Sequence, residues 1–328
     1  MKRRVAIILV LIFISIIALT GCNKDKSQNG DEDNLHYVEE EYNLEVDKGK
    51  IYGTLMMPKD KGGTTVALII AGSGPTDRNG NNTSMENNSL KMIAEALAKE
   101  GISSVRFDKR GIGESASLVE KEEDLVFEDY VNDVISWIEK LKKDNRFNKV
   151  VVIGHSEGAL IGTIAVNNTD VDGLVSLAGA GFSAYETLER QLMAQSQQVF
   201  DLCKPIMDEL INGNLVDDVP EGLYSLFRPS VQPYLISWFK YDPVEEISKV
   251  EEPVLIIQGD NDIQITVEDA NMLYEGNPES KLVIIEGMNH ILKNAPEDRN
   301  GNIATYSNPA LPLNEEFVKE LINFIKSL

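Results

Sequence analysis

The chain has 328 residues, 42% of them apolar, with 31 Lys and Arg against 53 Asp and Glu, a formal charge of −22. That length and composition suit one large α/β domain or two modest ones with a real core, and they exclude disorder as the default state. The basic residues are scattered rather than striped, which argues against nucleic acid and against electrostatic docking on anionic lipid; the acidity reads as a solvated surface.

In chain order, the first segment combines Lys2-Arg3-Arg4, an apolar run from Val5 to Ala18 broken only by Ser15, and Leu19-Thr20-Gly21-Cys22. A positive n-region before a short apolar run marks a secretory signal, and the run is shorter than the ~20 residues of a spanning helix. The Leu-Thr-Gly-Cys tetrad resembles the lipobox of bacterial lipoproteins. That resemblance implies a signal peptide over 1–21, cleavage that leaves Cys22 as a lipidated N-terminus, and an extracytoplasmic, membrane-anchored protein. Asn23 to Asn34 carry no aliphatic side chain, so 22–35 read as a flexible tether ahead of a domain over 36–328. With Cys22 lipidated, Cys203 has no disulfide partner; in an apolar helical stretch without a neighbouring histidine it reads as a buried structural thiol.

Glu40 to Met57 alternates polar and apolar residues around Asp47-Lys48-Gly49-Lys50, which predicts an antiparallel hairpin at a sheet edge. Six Val- and Ile-rich runs follow: Thr65 to Ala71, Ser103 to Phe107, Lys149 to Ile153, Gly173 to Leu177, Val254 to Ile257 and Lys281 to Ile285. Continuous apolar runs predict parallel strands buried on both faces. Helical stripes lie between or after them: Leu90, Ile93, Ala94 and Leu97, ended by Gly101; Phe127, Tyr130, Val131, Val134, Ile138 and Leu141; and Phe317, Leu321, Phe324, Ile325 and Leu328, with Asn314 as N-cap. Alternating strands and helices predict a doubly wound, mostly parallel α/β sheet. Residues 182–242 have helical patches and no comparable strand run, which predicts a helical cap over the carboxyl edge of the sheet. Tyr224, Phe227, Tyr234, Trp238 and Phe239 would form the cap's own core or line an acyl pocket.

Gly154-His155-Ser156-Glu157-Gly158 is a Gly-x-Ser-x-Gly pentapeptide that chance supplies roughly once in ten chains of this length. Here it follows a strand run and precedes a helical one, the context of a nucleophile elbow: small flanking residues permit a sharp turn that exposes the serine Oγ. The turn sets the Glu157 amide at a helix N-terminus, where it would face developing negative charge. Ser156 needs a base. Among three histidines, His36 precedes the core strands and His155 leaves the turn on another face, whereas His290 follows the last buried run. The imidazole needs a carboxylate, and Gly259-Asp260-Asn261-Asp262 supplies two past a strand end; Asp262 is preferred, with Asp260 read as turn chemistry. Serine, acid and histidine then fall in the chain order of α/β-hydrolases.

From Glu40 onward the chain resembles an α/β-hydrolase, similar to the bacterial esterase and serine-aminopeptidase-like (S33-type) group with a helical cap. The resemblance rests on the triad and on Ala71-Gly72-Ser73-Gly74-Pro75-Thr76-Asp77-Arg78-Asn79-Gly80, Arg106-Phe107-Asp108-Lys109-Arg110-Gly111-Ile112-Gly113-Glu114-Ser115 and Tyr241-Asp242-Pro243. Ala71 stands where many relatives carry His. The resemblance implies the Ser73 amide as second oxyanion donor beside Glu157. Arg78 would bind a substrate carboxylate or pair with Asp77 to hold its loop, and Asp108-Lys109-Arg110-Gly111 reads as a structural turn. The expectation is a serine esterase of short to medium acyl esters that uses no metal or organic cofactor and loses activity once its base is protonated. The alternatives are a peptidase acting at the N-termini of short peptides and a non-catalytic, ligand-binding lipoprotein.

Overall fold

A computed structural model describes residues 36–59 and 64–328. The expected signal peptide over 1–21, the tether over 22–35 and lipidation at Cys22 lie outside the described residues. No helix among the described residues is long and apolar enough to cross a membrane.

The alternating segment near the N-terminus folds as β1 (Tyr37–Glu41), β2 (Leu44–Val46), β3 (Gly49–Ile51) and β4 (Gly53–Pro58). The small β2–β3 hairpin turns at Asp47-Lys48, while β1 pairs antiparallel with β4 at the edge of the main sheet. The Val- and Ile-rich runs become β5 (Thr65–Ile70), β6 (Ser103–Phe107), β7 (Lys149–His155), β8 (Gly173–Leu177), β9 (Val254–Gly259) and β10 (Lys281–Ile285). The eight-stranded sheet has the order β1-β4-β6-β5-β7-β8-β9-β10 and is parallel from β6 to β10. Because Tyr37 lies opposite Pro58 and Gly53 opposite Phe107, the chain enters the sheet at the amino-terminal edge of the parallel strands.

Both faces are covered, as the unbroken apolar runs require. The helices are α1 (Ser89–Lys99), α2 (Phe127–Lys143), α3 (Glu157–Val166) and a final one over Glu315–Ser327. Val66, Leu68 and Ile70 point to the α2 and α3 side with Trp137 and Ile161; Ala67 and Ile69 point to α1 and the last helix with Ile93 and Phe317. Asn314 caps the last helix through the Phe317 amide at 3.0 Å. One expectation fails: β10 is not buried on both faces. It is the edge strand, paired only to β9, and Ile284 is exposed.

Between β8 and β9 the chain forms α4 (Ala184–Gln195), α5 (Gln197–Ile211), α6 (Tyr224–Phe227) and α7 (Gln232–Trp238), with no strand. The cap is tied down by Arg228, whose Nε lies 2.7 Å from Glu122. Its aromatic residues divide between roles: Phe227 is core, Tyr224 is exposed, and Trp238 and Phe239 line a cavity. Cys203 is buried in α5, and burial pushes its thiol up to about 11, an inert group at neutral pH.

Candidate active site

Ser156 stands between β7 and α3 with φ 56° and ψ −122°, a backbone region that side-chain-bearing residues seldom adopt. Two glycines make this turn possible. A Cβ on Gly154 would lie 2.2 Å from the Gly158 carbonyl oxygen, and one on Gly158 would lie 2.5 Å from that of Ile70. Gly72 is packed as closely: its Cβ would stand 3.1 Å from Ser156 Cβ, so the loop after β5 lies against the serine.

His290, in the loop after β10, is buried, and its Nδ1 lies 2.7 Å from Asp262 Oδ2. Asp262 is fully enclosed and held as an acceptor. Its Oδ1 takes the amides of Gln264 at 2.7 Å and Ile265 at 3.1 Å, and its Oδ2 also takes Gln258 Nε2 at 3.1 Å. Asp260 points elsewhere and accepts the Gly287 amide at 2.7 Å. Ser73, Ser156 and His290 line one cavity. The structure thus gathers Ser156, Asp262, His290, Ser73 and Glu157 at the carboxyl edge of the sheet, where open α/β folds place ligands.

Arg78 is not brought there. Its guanidinium lies 2.7 Å from Asp108 and 2.5 Å from Glu114, in a separate hollow that holds none of the residues above. The pairing with Asp77 also fails, because Asp77 instead accepts the amides of Asn79 and Asn81 within its own turn.

Three contributions escaped the sequence reading. His155, set aside as a neighbour, is buried with Nε2 2.7 Å from the His290 carbonyl oxygen. Burial, and secondarily repulsion from His290, lowers its pKa to about 4. It is therefore neutral near pH 7 and donates its Nε2–H to that carbonyl. Lys109, read as part of a turn, is buried with its Nζ 2.7 Å from both Glu157 Oε2 and the Gly72 carbonyl oxygen. Gln258 ties Asp262 to the carbonyls of Gly259 and Ile265. The contacts of His155 and Lys109 join segments distant in sequence, so no local pattern announces them, while those of Gln258 stay within seven residues and are set by the turn after β9.

A second cavity opens beside Ser156 and is mostly apolar, walled by Leu160, Phe182, Leu188, Leu235, Trp238 and Phe239. A third, on the other flank of Glu157, includes Glu122, Tyr130, Arg228 and Tyr234. Among the described residues, no group of three or more His, Cys, Asp or Glu is placed to hold a metal ion.

A strained serine between strand and helix, with a histidine and carboxylate from later strand ends, defines a hydrolase-type α/β architecture, and the comparisons agree. The chain has the α/β-hydrolase fold. Residues 85–217 match the family model for serine aminopeptidase, S33. Esterase EstD of Thermotoga maritima is 26% identical over 252 residues, 73% of this chain and 57% of EstD, so the match spans little more than half of that relative. Est1E of Butyrivibrio proteoclasticus, in a structure with ferulic acid bound, superposes with TM-score 0.61 at 20% identity over 88% of this chain and all of Est1E. The Pyrococcus furiosus esterase Pf2001 gives 0.60 at 18% identity over 97% and 98% of the two chains. At such identities the two structures speak for the fold.

Proposed function

We propose that the protein is a serine esterase acting on short to medium acyl esters. The observation that carries this reading is Ser156 on its strained turn, opening into an apolar cavity, with His290 and Asp262 hydrogen-bonded on the same sheet edge. His290 takes the proton of Ser156 as Oγ attacks the ester carbonyl, and the amides of Ser73 and Glu157 receive the oxyanion. Collapse breaks the bond to the alcohol oxygen, which takes the proton from His290. Water, deprotonated by His290, then attacks the acyl carbon, and the acid leaves as Ser156 regains its proton.

The esterase names of the relatives support this choice, as does the state of the carboxylates nearby. A site for a peptide N-terminus needs an acidic side chain free to meet an ammonium group. The two cavities that include Ser156 have one acidic lining residue between them, Glu157, and it is engaged with Lys109 and Tyr234; Glu122, in the third cavity, is paired with Arg228. The aminopeptidase alternative has the matched segment in its favour and lacks that free group.

The test is fluorophosphonate labelling of wild type and Ser156→Ala, followed by p-nitrophenyl esters of increasing length against aminoacyl-p-nitroanilides. Absence of labelling in folded wild type removes the enzyme reading, and faster anilide than ester turnover replaces esterase with peptidase. For location, Lys2-Arg3-Arg4 and Leu19-Thr20-Gly21-Cys22 support a lipid-anchored extracytoplasmic enzyme. Fractionation of cells expressing Cys22→Ser checks this, the expected outcome being loss of membrane association.

A further inference from the structure

Lys109 is buried, and its ammonium touches both segments that supply the oxyanion donors proposed above. Nζ lies 2.7 Å from the Gly72 carbonyl oxygen and 2.7 Å from Glu157 Oε2, and 4.7 Å from the centre of the Tyr130 ring. Its three protons thus meet two oxygens and an aromatic face. Both partners are significant for the chemistry. The Gly72 carbonyl and the Ser73 N–H are the two ends of one planar trans peptide unit and point in opposite directions. A cation held on the oxygen end fixes the direction of the N–H end, and charge on the carbonyl strengthens the hydrogen bond its amide donates. The second partner, Glu157, carries the other donor on its own backbone. Thr76 Oγ1, which donates to the Ser73 carbonyl at 3.0 Å, holds the following peptide and leaves that of Gly72 to Lys109.

From this geometry we infer that Lys109 is a positioning residue for the oxyanion hole: its ammonium sets the Gly72–Ser73 peptide plane and clamps it to the nucleophile elbow through Glu157. The inference rests on the esterase reading. It also extends into the cap, because Tyr234 of α7 donates to Glu157 Oε1 at 2.6 Å. One buried chain of contacts thereby runs from cap to elbow to oxyanion loop.

A turn-forming role does not account for this side chain. The neighbouring Asp108 organises the turn, accepting the amides of Arg78 at 2.8 Å and Glu114 at 3.0 Å, while Lys109 reaches across to a different strand end.

The experiment separates positioning from plain stability. Lys109→Met leaves Glu157 buried without its cation and is expected to lower the melting temperature. The double variant Lys109→Met/Glu157→Gln removes both charges, so its stability is expected to recover, because a neutral buried pair lacks the penalty of an unpaired charge. Its backbone amide at 157 is retained, yet nothing holds the Gly72 carbonyl. Its kcat on p-nitrophenyl butyrate is therefore expected to stay about 10- to 100-fold below wild type, with KM changed by no more than about twofold. Affinity for a trifluoromethyl ketone, whose serine adduct carries the oxyanion, is expected to fall by the same factor as kcat/KM. A folded double variant with wild-type kcat overturns the inference and leaves the esterase reading standing. Wild type that does not react with fluorophosphonate overturns both.

Discussion

His155 Nε2 lies 2.7 Å from the backbone carbonyl oxygen of His290, so the residue before the proposed nucleophile holds the loop that carries the proposed base. The hydrogen bond requires a proton on Nε2, since a carbonyl only accepts, and burial keeps the ring neutral, so its one proton sits there. The two rings stand 4.9 Å apart, and a charge on His155 would act directly on His290.

This arrangement sets an acid-side stability limit. The folded protein holds His155 near 4, against 6.5 for an unperturbed histidine, so the unfolded chain binds more protons between those values and stability falls as pH drops from 6.5 through 4. The full loss is about 3 kcal/mol. In His155→Gln this component is expected to disappear, flattening the dependence measured by urea unfolding between pH 6.5 and 4. An unchanged slope would show that other groups carry it.

Backbone strain at Ser156 separates two inactive variants. Ser156→Ala and Ser156→Gly both remove Oγ and are expected to lose covalent labelling. Only glycine relaxes at φ 56°, so Ser156→Gly is expected to be the more stable by about 1 kcal/mol after its greater unfolded-state entropy is counted. Paired thermal melts measure this.

The two aspartates after β9 are distinguishable by rate. Asp262→Asn removes the acceptor from His290 Nδ1 and is expected to lower kcat by about 10⁴-fold. Asp260→Asn changes an exposed turn that accepts the Gly287 amide and is expected to alter kcat by less than about threefold. Comparable rate losses from both would mean the carboxylate has been misassigned.

Arg78 makes an opposite pair of expectations, on stability rather than rate. Arg78→Met leaves Asp108 buried with only its amide donors and is expected to cost about 2–3 kcal/mol of folding stability. KM for neutral and carboxylate-bearing esters is expected to be unchanged, since Arg78 lines a different hollow. A KM effect confined to anionic esters would return it to the substrate site.

Chain-length selectivity is expected to follow Leu188, which projects from α4 into the apolar cavity. Leu188→Phe shortens that space, so kcat/KM for octanoyl esters is expected to fall about tenfold or more relative to acetyl esters. Parallel losses for both would place the acyl chain elsewhere.

Local pattern carried most of the architecture. Val- and Ile-rich runs mark strands because buried parallel strands show apolar side chains on both faces, and that logic weakens only at β10, whose edge position a run of five residues does not reveal. Ser156 was legible from flanking glycines that the turn sterically requires. His290 and Asp262 were legible because each follows a Val- and Ile-rich strand run. Gln258 was not, because the turn after β9 and not any residue pattern brings its nearby partners to it, and Lys109 and His155 were not, because their partners lie in segments distant in sequence. The Arg78–Asp108 pair hid for the same reason behind a misleading neighbour, Asp77.

The entry of the chain into the sheet bears on where substrate comes from. Tyr37 starts β1 at the amino-terminal edge of the parallel strands, while Ser156 and His290 open at the carboxyl edge. With a lipid on Cys22 as proposed, the anchored segment would join the domain at the sheet edge opposite the catalytic mouth. Such a join would leave the mouth unobstructed by the anchored segment, open to esters dissolved in the surrounding water.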